Sequence, residues 1–299
     1  MPIEHRTAAV DLGKSRCRVS VTTLDGRETY TDAGTPGLAS IDGVATAVAA
    51  ILPLLAKTDG VESIGVGAAG AWTAPDAAAT LARSLSDATG ARVAVTSDVV
   101  TAHAGALQGA PGTLLIAGTG AVALGVDEDG LRLVDGWGPD LGDFGSGSWI
   151  GREGARAVLR TRDALGPETV LTSALRAHIA PHPDPITWLA GEIPTARHLA
   201  TLAPLVLDAA AAGDAVATDI VAEAVRLLTA SAVAASDRAF DVAIHGGLTD
   251  HTWFRAELER SLTAAGRTIV PAVDDALDGA ALLAHRTDMP HERYVHRAE

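Results

Sequence analysis

Glycine-framed turns that bring acidic, basic or hydroxyl groups to a strand end recur along the chain. DLGKS occupies residues 11–15, AGTGA residues 117–121 and IHGGL residues 244–248. In turns of this composition glycine lets the backbone come close to an anion, and successive N–H groups form a nest for it. Two such turns suit the phosphates of one nucleoside triphosphate, with Gly13, Lys14 and Ser15 in the first and Gly118, Thr119 and Gly120 in the second. Asp11 sits where a carboxylate would hold Mg2+, directly or through water, and Lys14 or Ser15 would reach a phosphate. Gly246 and Gly247 end a strand before a helix and would let an adenosine ring lie against the backbone. ATP and Mg2+ are the expected cofactors. A further stretch, WGPDLGDFGSG at residues 137–147, sets Asp140 and Asp143 among four glycines. Loops that cannot bury themselves carry sites more often than cores do, although an ordinary turn-rich connection has the same composition.

Two lookalikes fail on context. AAVDLGKS, residues 8–15, ends as a P-loop does, but Ala8 stands where the first glycine is required and the intervening residues read as strand. GVGAAG, residues 65–70, matches a dinucleotide fingerprint by letter. Three strands and a helix precede it, and no acidic residue ends the next strand about twenty residues on, so a Rossmann dehydrogenase is a minor rival.

The elements that must position these turns read as an α/β protein with an internal duplication. Residues 7–34 form three strand-like runs, with Asp25-Gly26 as a hairpin turn. A helix over 43–57, a strand over SIGVGAAG, a helix over 76–89, the strand RVAVTSD and a helical run from 99 follow, the alternation of an α/β sheet. Residues 112–136 repeat the opening meander. The chain is then mostly helical to about 238, followed by the strand DVAIHGG, a helix over 250–265, the strand RTIVPA and a helix over 275–286. Two lobes each open with a β-meander, 1–108 and 109–286, and residues 287–299 form a polar tail read as a solvated end, with a role over a cleft as the alternative.

Composition narrows the classes. The 299 residues are 47% hydrophobic and 20% charged, enough for about two cores. The 23 basic against 37 acidic residues give a net charge of −14, and no basic run offers a surface to nucleic acid. One cysteine, Cys17, builds neither a disulfide framework nor an iron–sulfur cluster within one chain. No apolar stretch reads as a signal peptide or membrane span, so the expected home is the cytoplasm.

Together AAVDLGKS, IAGTGAVALG, GWGPDLGDFGSGSWIGREG and IHGGL resemble the actin, sugar-kinase and heat-shock-protein superfamily. Within it they resemble the N-acetylglucosamine kinase and BadF/BadG-type ATPase family. The resemblance covers nearly the whole chain, and the GWGPxLGDxGSGxWIG pattern is its most specific part. It implies a two-lobed actin-like fold, ribonuclease H-like in each lobe, with nucleotide and sugar in the interlobe cleft, and a homodimer. It implies that Asp98, at the end of RVAVTSD, is the catalytic base; a helix N-cap is the alternative role. It implies that Asp143 binds sugar hydroxyls and that Gly70 and Thr119 line the same pocket. The chain departs from the pattern at DLGKS, at Ala121, at Phe144, where relatives commonly carry glutamate, and at Asp140, where they commonly carry an apolar residue. An extra carboxylate suits a free 2-ammonium group, which gains about 4 kcal/mol at 4 Å and an effective dielectric of 20. The expected activity is therefore an ATP-dependent glucosamine 6-kinase, with N-acetylglucosamine kinase as the alternative. An ATPase activator of an acyl-CoA dehydratase is the third reading.

Overall fold

Long-range pairing turns these local signals into two sheets. The structure is a computed structural model and describes residues 6–23, 26–58, 60–190 and 195–299. In chain order the first elements are β1 (Thr7–Leu12), β2 (Arg16–Thr23), β3 (Gly26–Ala33), α1 (Gly43–Leu55), β4 (Ser63–Ala68), α2 (Pro75–Thr89), β5 (Arg92–Ser97) and α3 (Asp98–Ala106). Next come β6 (Gly112–Ala117), β7 (Ala121–Asp127), β8 (Gly130–Asp135), α4 (Gly147–Arg162), α5 (Leu171–Ile179), α6 (Pro185–Leu189), α7 (Thr195–Ala200), α8 (Ala203–Ala211) and α9 (Ala215–Ala235). The last are β9 (Asp241–His245), α10 (Thr252–Ala264), β10 (Thr268–Val270), α11 (Ala276–His285) and β11 (His296–Ala298).

The first sheet runs β11-β5-β4-β1-β2-β3. Its centre, β1, β4 and β5, is parallel, whereas β2 and β3 are antiparallel additions at one side. β4 is buried at every residue and β1 at all but Asp11, the pattern of strands covered on both faces, while the edge strand β3 is almost wholly exposed. Val10, Leu12, Ile51, Ile64, Val66, Leu81, Leu85, Val93 and Val95 form the core under α1 and α2. Asp25 of the expected hairpin turn lies outside the described residues; the pair Thr23↔Gly26 closes β2 onto β3.

The second sheet runs β10-β9-β6-β7-β8, with β6, β9 and β10 parallel. Leu115, Ile150, Leu175, Val206, Leu228, Phe254 and Leu258 belong to its core, supplied by strands and helices together. The helix expected over 250–265 is α10, preceded by a single 3-10 turn at Gly247–Asp250.

The chain divides into two compact units. One comprises Met1–Pro111, Val126–Leu131 and Pro271–Glu299; the other comprises Gly112–Gly125 and Arg132–Val270. Residues 271–286, read from sequence with the second lobe, group with the first unit because α11 lays Leu277 and Ala280 on Ala9 of β1. The C-terminal residues read as a solvated end instead make a 3-10 turn at Pro290–Tyr294 and strand β11 on β5. No single helix among the described residues is long and apolar enough to cross a membrane.

Candidate functional site

In the first unit the candidate residues follow three level strand ends. Leu12 of β1 pairs with Ala68 of β4, and Ala68 with Ser97 of β5. Directly beyond them lie Gly13–Ser15, Gly70 and Asp98, at the carboxyl ends where open parallel sheets bind ligands. The first turn is closed by Gly13 N–H donating to the Arg16 carbonyl at 2.9 Å, and Thr35 N–H donates to the Gly13 carbonyl at 3.2 Å. Lys14 and Ser15 are exposed at its tip. Gly70 adopts φ +82°, and a Cβ there would lie 3.1 Å from the Leu38 nitrogen, so both conformation and space favour glycine.

Asp98 is the first residue of α3, and Ser97 before it is the cap residue. The Asp98 carboxylate accepts from Ser97 Oγ at 3.0 Å and from Val99 N–H at 2.9 Å, both through Oδ1. Among the described residues Oδ2 takes no hydrogen bond, which leaves it for a ligand proton. Burial pushes the carboxyl above its ordinary value, against the hydrogen bonds from Ser97 and Val99; the Asp11 charge adds to the rise and Lys14 opposes it. A carboxyl group made more basic by its surroundings, with hydrogen bonds ready for its ionised form, is equipped to take a proton.

Asp11 has a partner that the sequence expectation did not include. Arg18, opposite it in the β1–β2 register, donates Nε at 3.0 Å and Nη2 at 2.8 Å to Asp11 Oδ2, and Nη1 at 2.7 Å to Asp275 Oδ2. Burial alone would favour loss of the Arg18 charge, but bonding to Asp11 and Asp275 raises its pKa instead. Asp11 Oδ1 stays outside this network. Sequence reasoning missed Arg18: the hairpin register points it at Asp11, but no local signal shows Asp275, 257 residues away.

In the second unit β6 and β9 also end level, Ile116 pairing with His245. The Gly118–Gly120 turn and Gly246–Gly247 follow those ends. Gly118 N–H donates to the Gly120 carbonyl at 2.9 Å, and the first amides of α4 hold the turn from below, Gly147 N–H on the Gly118 carbonyl at 2.8 Å and Ser148 N–H on that of Thr119 at 3.1 Å. Gly246, at φ +115°, would place a Cβ 2.4 Å from the Ala117 carbonyl oxygen, so no other residue fits without moving β6. Open space surrounds the equivalent position on Gly247.

Asp143 reaches the same turn. Its Oδ1 accepts from Ala121 N–H at 3.2 Å, and a Cβ on Gly120 would lie 3.0 Å from both carboxylate oxygens. Asp135, 3% exposed and unremarked in the sequence reading, places it: Asp135 Oδ1 accepts Asp143 N–H at 2.8 Å and Oδ2 accepts Phe144 N–H at 2.7 Å. An acid before a glycine at a strand end has no signature beyond an ordinary turn, which is why it was missed. Asp140, by contrast, is exposed in the turn before Gly142. Trp137 and Leu141 beside it are 65% and 75% exposed, with Trp137 edge-on to Phe144 at 6.0 Å.

The chain is similar to N-acetyl-D-glucosamine kinase of Dictyostelium discoideum, 34% identical over 137 residues, which are 44% of this chain and 43% of that one. It is similar to N-acetylmuramic acid/N-acetylglucosamine kinase of Clostridium acetobutylicum, 31% identical over 140 residues, 46% of each chain. The matched stretch thus spans less than half the length of either relative. Among solved structures, a candidate N-acetylglucosamine kinase from Chromobacterium violaceum superposes with a TM-score of 0.76 at 27% identity, over 94% of this chain and 99% of that one. A ROK family glucokinase from Streptomyces griseus, solved with glucose and AMPPNP, superposes with a TM-score of 0.56 at 19% identity, over 93% and 99%, and shares the two-lobed actin-like fold. The model of the BadF/BadG/BcrA/BcrD ATPase family matches residues 10–284, and the chain belongs to that family.

Proposed function

We propose that the protein is an ATP-dependent kinase of N-acetylated hexosamines, transferring the γ-phosphoryl group to the 6-hydroxyl of N-acetylglucosamine. The observation that carries this reading is Asp98, at the level strand ends of the first unit, with one carboxylate oxygen that takes both of its hydrogen bonds and one that takes none among the described residues. Phosphoryl transfer asks for positioning, charge neutralisation and a base for the acceptor proton. Asp98 Oδ2 takes the hydroxyl proton. Asp143 accepts a sugar hydroxyl through its carboxylate, and the turns at Gly13–Ser15 and Gly118–Gly120, through the amides of Lys14, Thr119 and Gly120, face phosphate oxygens. Mg2+, when bound, spreads the charge that develops on those oxygens. Asp11 fits such an ion through Oδ1, because Mg2+ keeps most of its water and uses one or two carboxylates with substrate phosphates.

The two relatives, kinases of N-acetylglucosamine and of N-acetylmuramic acid and N-acetylglucosamine, favour the N-acetylated sugar over glucosamine. Exposure of Asp140 supports the same choice. A solvated carboxylate 4 Å from an ammonium gains only about 1 kcal/mol, a quarter of what the glucosamine reading needs. Cys17 argues against an electron-transferring activator: it is fully buried on β2, and burial, with Asp11 and Asp32, pushes its thiol up to about 11, far from the thiolate a cluster requires.

ADP release from ATP, measured with N-acetylglucosamine, glucosamine, glucose and no sugar, tests the proposal. N-acetylglucosamine is expected to support the fastest turnover, and Asp98→Asn to lower kcat by about 10²-fold or more with little change in either KM. ADP release indifferent to every sugar would overturn it in favour of a nucleotide switch.

A further inference from the structure

Beyond α11 the chain folds back on the elements that carry Asp98 and Gly70. β11 pairs antiparallel with β5, with His296, Arg297 and Ala298 opposite Val95, Ala94 and Val93. Thr96 Oγ1, two residues before Asp98, donates to the Tyr294 carbonyl at 2.7 Å. The Tyr294 ring stacks on Trp72, two residues after Gly70, with centroids 4.7 Å apart and planes 6° from parallel. His291 Nε2 lies 3.0 Å from Nδ1 of His103 in the last turn of α3, and both side chains are fully buried. Arg297 fastens the far end, donating to the carbonyls of Leu283 at 3.0 Å and Arg286 at 3.1 Å and to Glu292 Oε2 at 2.7 Å.

These contacts share a target. β5 has β4 on one side and only β11 on the other, so the last strand converts an edge strand into an internal one directly before Asp98. The histidine pair fixes the opposite end of the helix that Asp98 begins, and the ring stack fixes the segment after Gly70. A base must be held to within about half an ångström of its working place, and unpaired strand ends fray.

We propose that the C-terminal segment Pro290–Ala298 is a clasp that sets the position of Asp98, with Tyr294 and His291 as its positioning residues. This rests on the reading of Asp98 as the acceptor base. Thermodynamic support alone would make the segment a structural strand; a clasp also controls the rate of the step that Asp98 serves.

The full chain carrying Tyr294→Ala separates the two. Its kcat is expected to fall between about ten- and a hundredfold, with KM for ATP and for the sugar within about twofold of the parent. Amide exchange over Thr96–Val100 is expected to quicken by about tenfold or more while β6 keeps its protection. Tyr294→Trp, which keeps a ring on Trp72, should restore both. An unchanged kcat overturns the clasp, as does loss of protection spread evenly over the chain. Should Tyr294→Ala fail to fold, Thr96→Val removes one hydrogen bond and is judged on the same two readouts. Asp98→Asn is measured beside them: if it stays active, the base reading fails and the clasp falls with it, whereas an inactive Asp98→Asn beside a Tyr294→Ala of unchanged kcat overturns the clasp alone.

Discussion

Asp98 shows how a common residue acquires a particular chemistry from its surroundings. Its type and its place after RVAVTSD were legible, because a strand ending in an acid before a helical run is a local pattern. Its proton affinity was not, since burial and the charges of Asp11 and Lys14 come from elements brought together by folding. As the proposed base, Asp98 would work ionised, so activity is expected to be lost as pH falls through a folded-state pKa lying above the ordinary 3.8. The acid limb of kcat/KM is expected above that value. Ser97→Ala deletes the first hydrogen bond that stabilises the ionised form and should move the limb upward by about one unit, since a bond to a charged group contributes about 1.5 kcal/mol or more. A limb that stays in place in Ser97→Ala would mean that another group titrates. Asp11 is the counterexample at this scale: its position in DLGKS was legible, whereas its commitment to Arg18 depended on a register and a third residue that the motif does not contain.

Elements were legible wherever period and turn chemistry agreed. The two meanders, the α/β alternation and the helix starts rest on patterns within a few residues, and glycine-rich turns at strand ends mark where the backbone must come close to something. The loop at 136–146 is harder, because its shape is set by Asp135, whose backbone and that of Asp143 both adopt positive φ, 63° and 55°. That conformation strains a residue with a Cβ, and the two amides on the Asp135 carboxylate hold it in place. Asp135→Ala leaves two N–H groups unpaired and should lower stability by about 2 kcal/mol. Because Asp143 rides on this loop, KM for the sugar is expected to rise by about tenfold and KM for ATP by much less. Thermal unfolding and the two KM values check this; equal changes in both KM values would remove the loop from sugar recognition.

Across the whole molecule the unread part is the return of the chain. His296 and Val95 pair across some two hundred residues, and nothing in a polar tail signals that it will complete a sheet edge. The same return buries His291 against His103, and this carries a consequence for acid stability. Burial lowers the His291 pKa from 6.5 to about 4. Between those values the unfolded chain binds a proton that the folded first unit refuses. Stability contributed by the neutral ring is therefore complete above pH 6.5, falls with pH and levels off below about pH 4, where both states hold the proton. The loss is about 2 kcal/mol near pH 5 and about 3 kcal/mol in full. Asp98 runs the other way, since its raised pKa makes the folded chain hold the extra proton at acid pH. The contribution of His291 is therefore read as a difference between the parent and His291→Gln. Amide exchange of β5, followed from neutral pH to about pH 5, should give the parent a decline steeper by about 2 kcal/mol than that of the variant. Parallel curves would mean that His291 takes up its proton within the folded unit, and that the His103–His291 contact yields rather than resists.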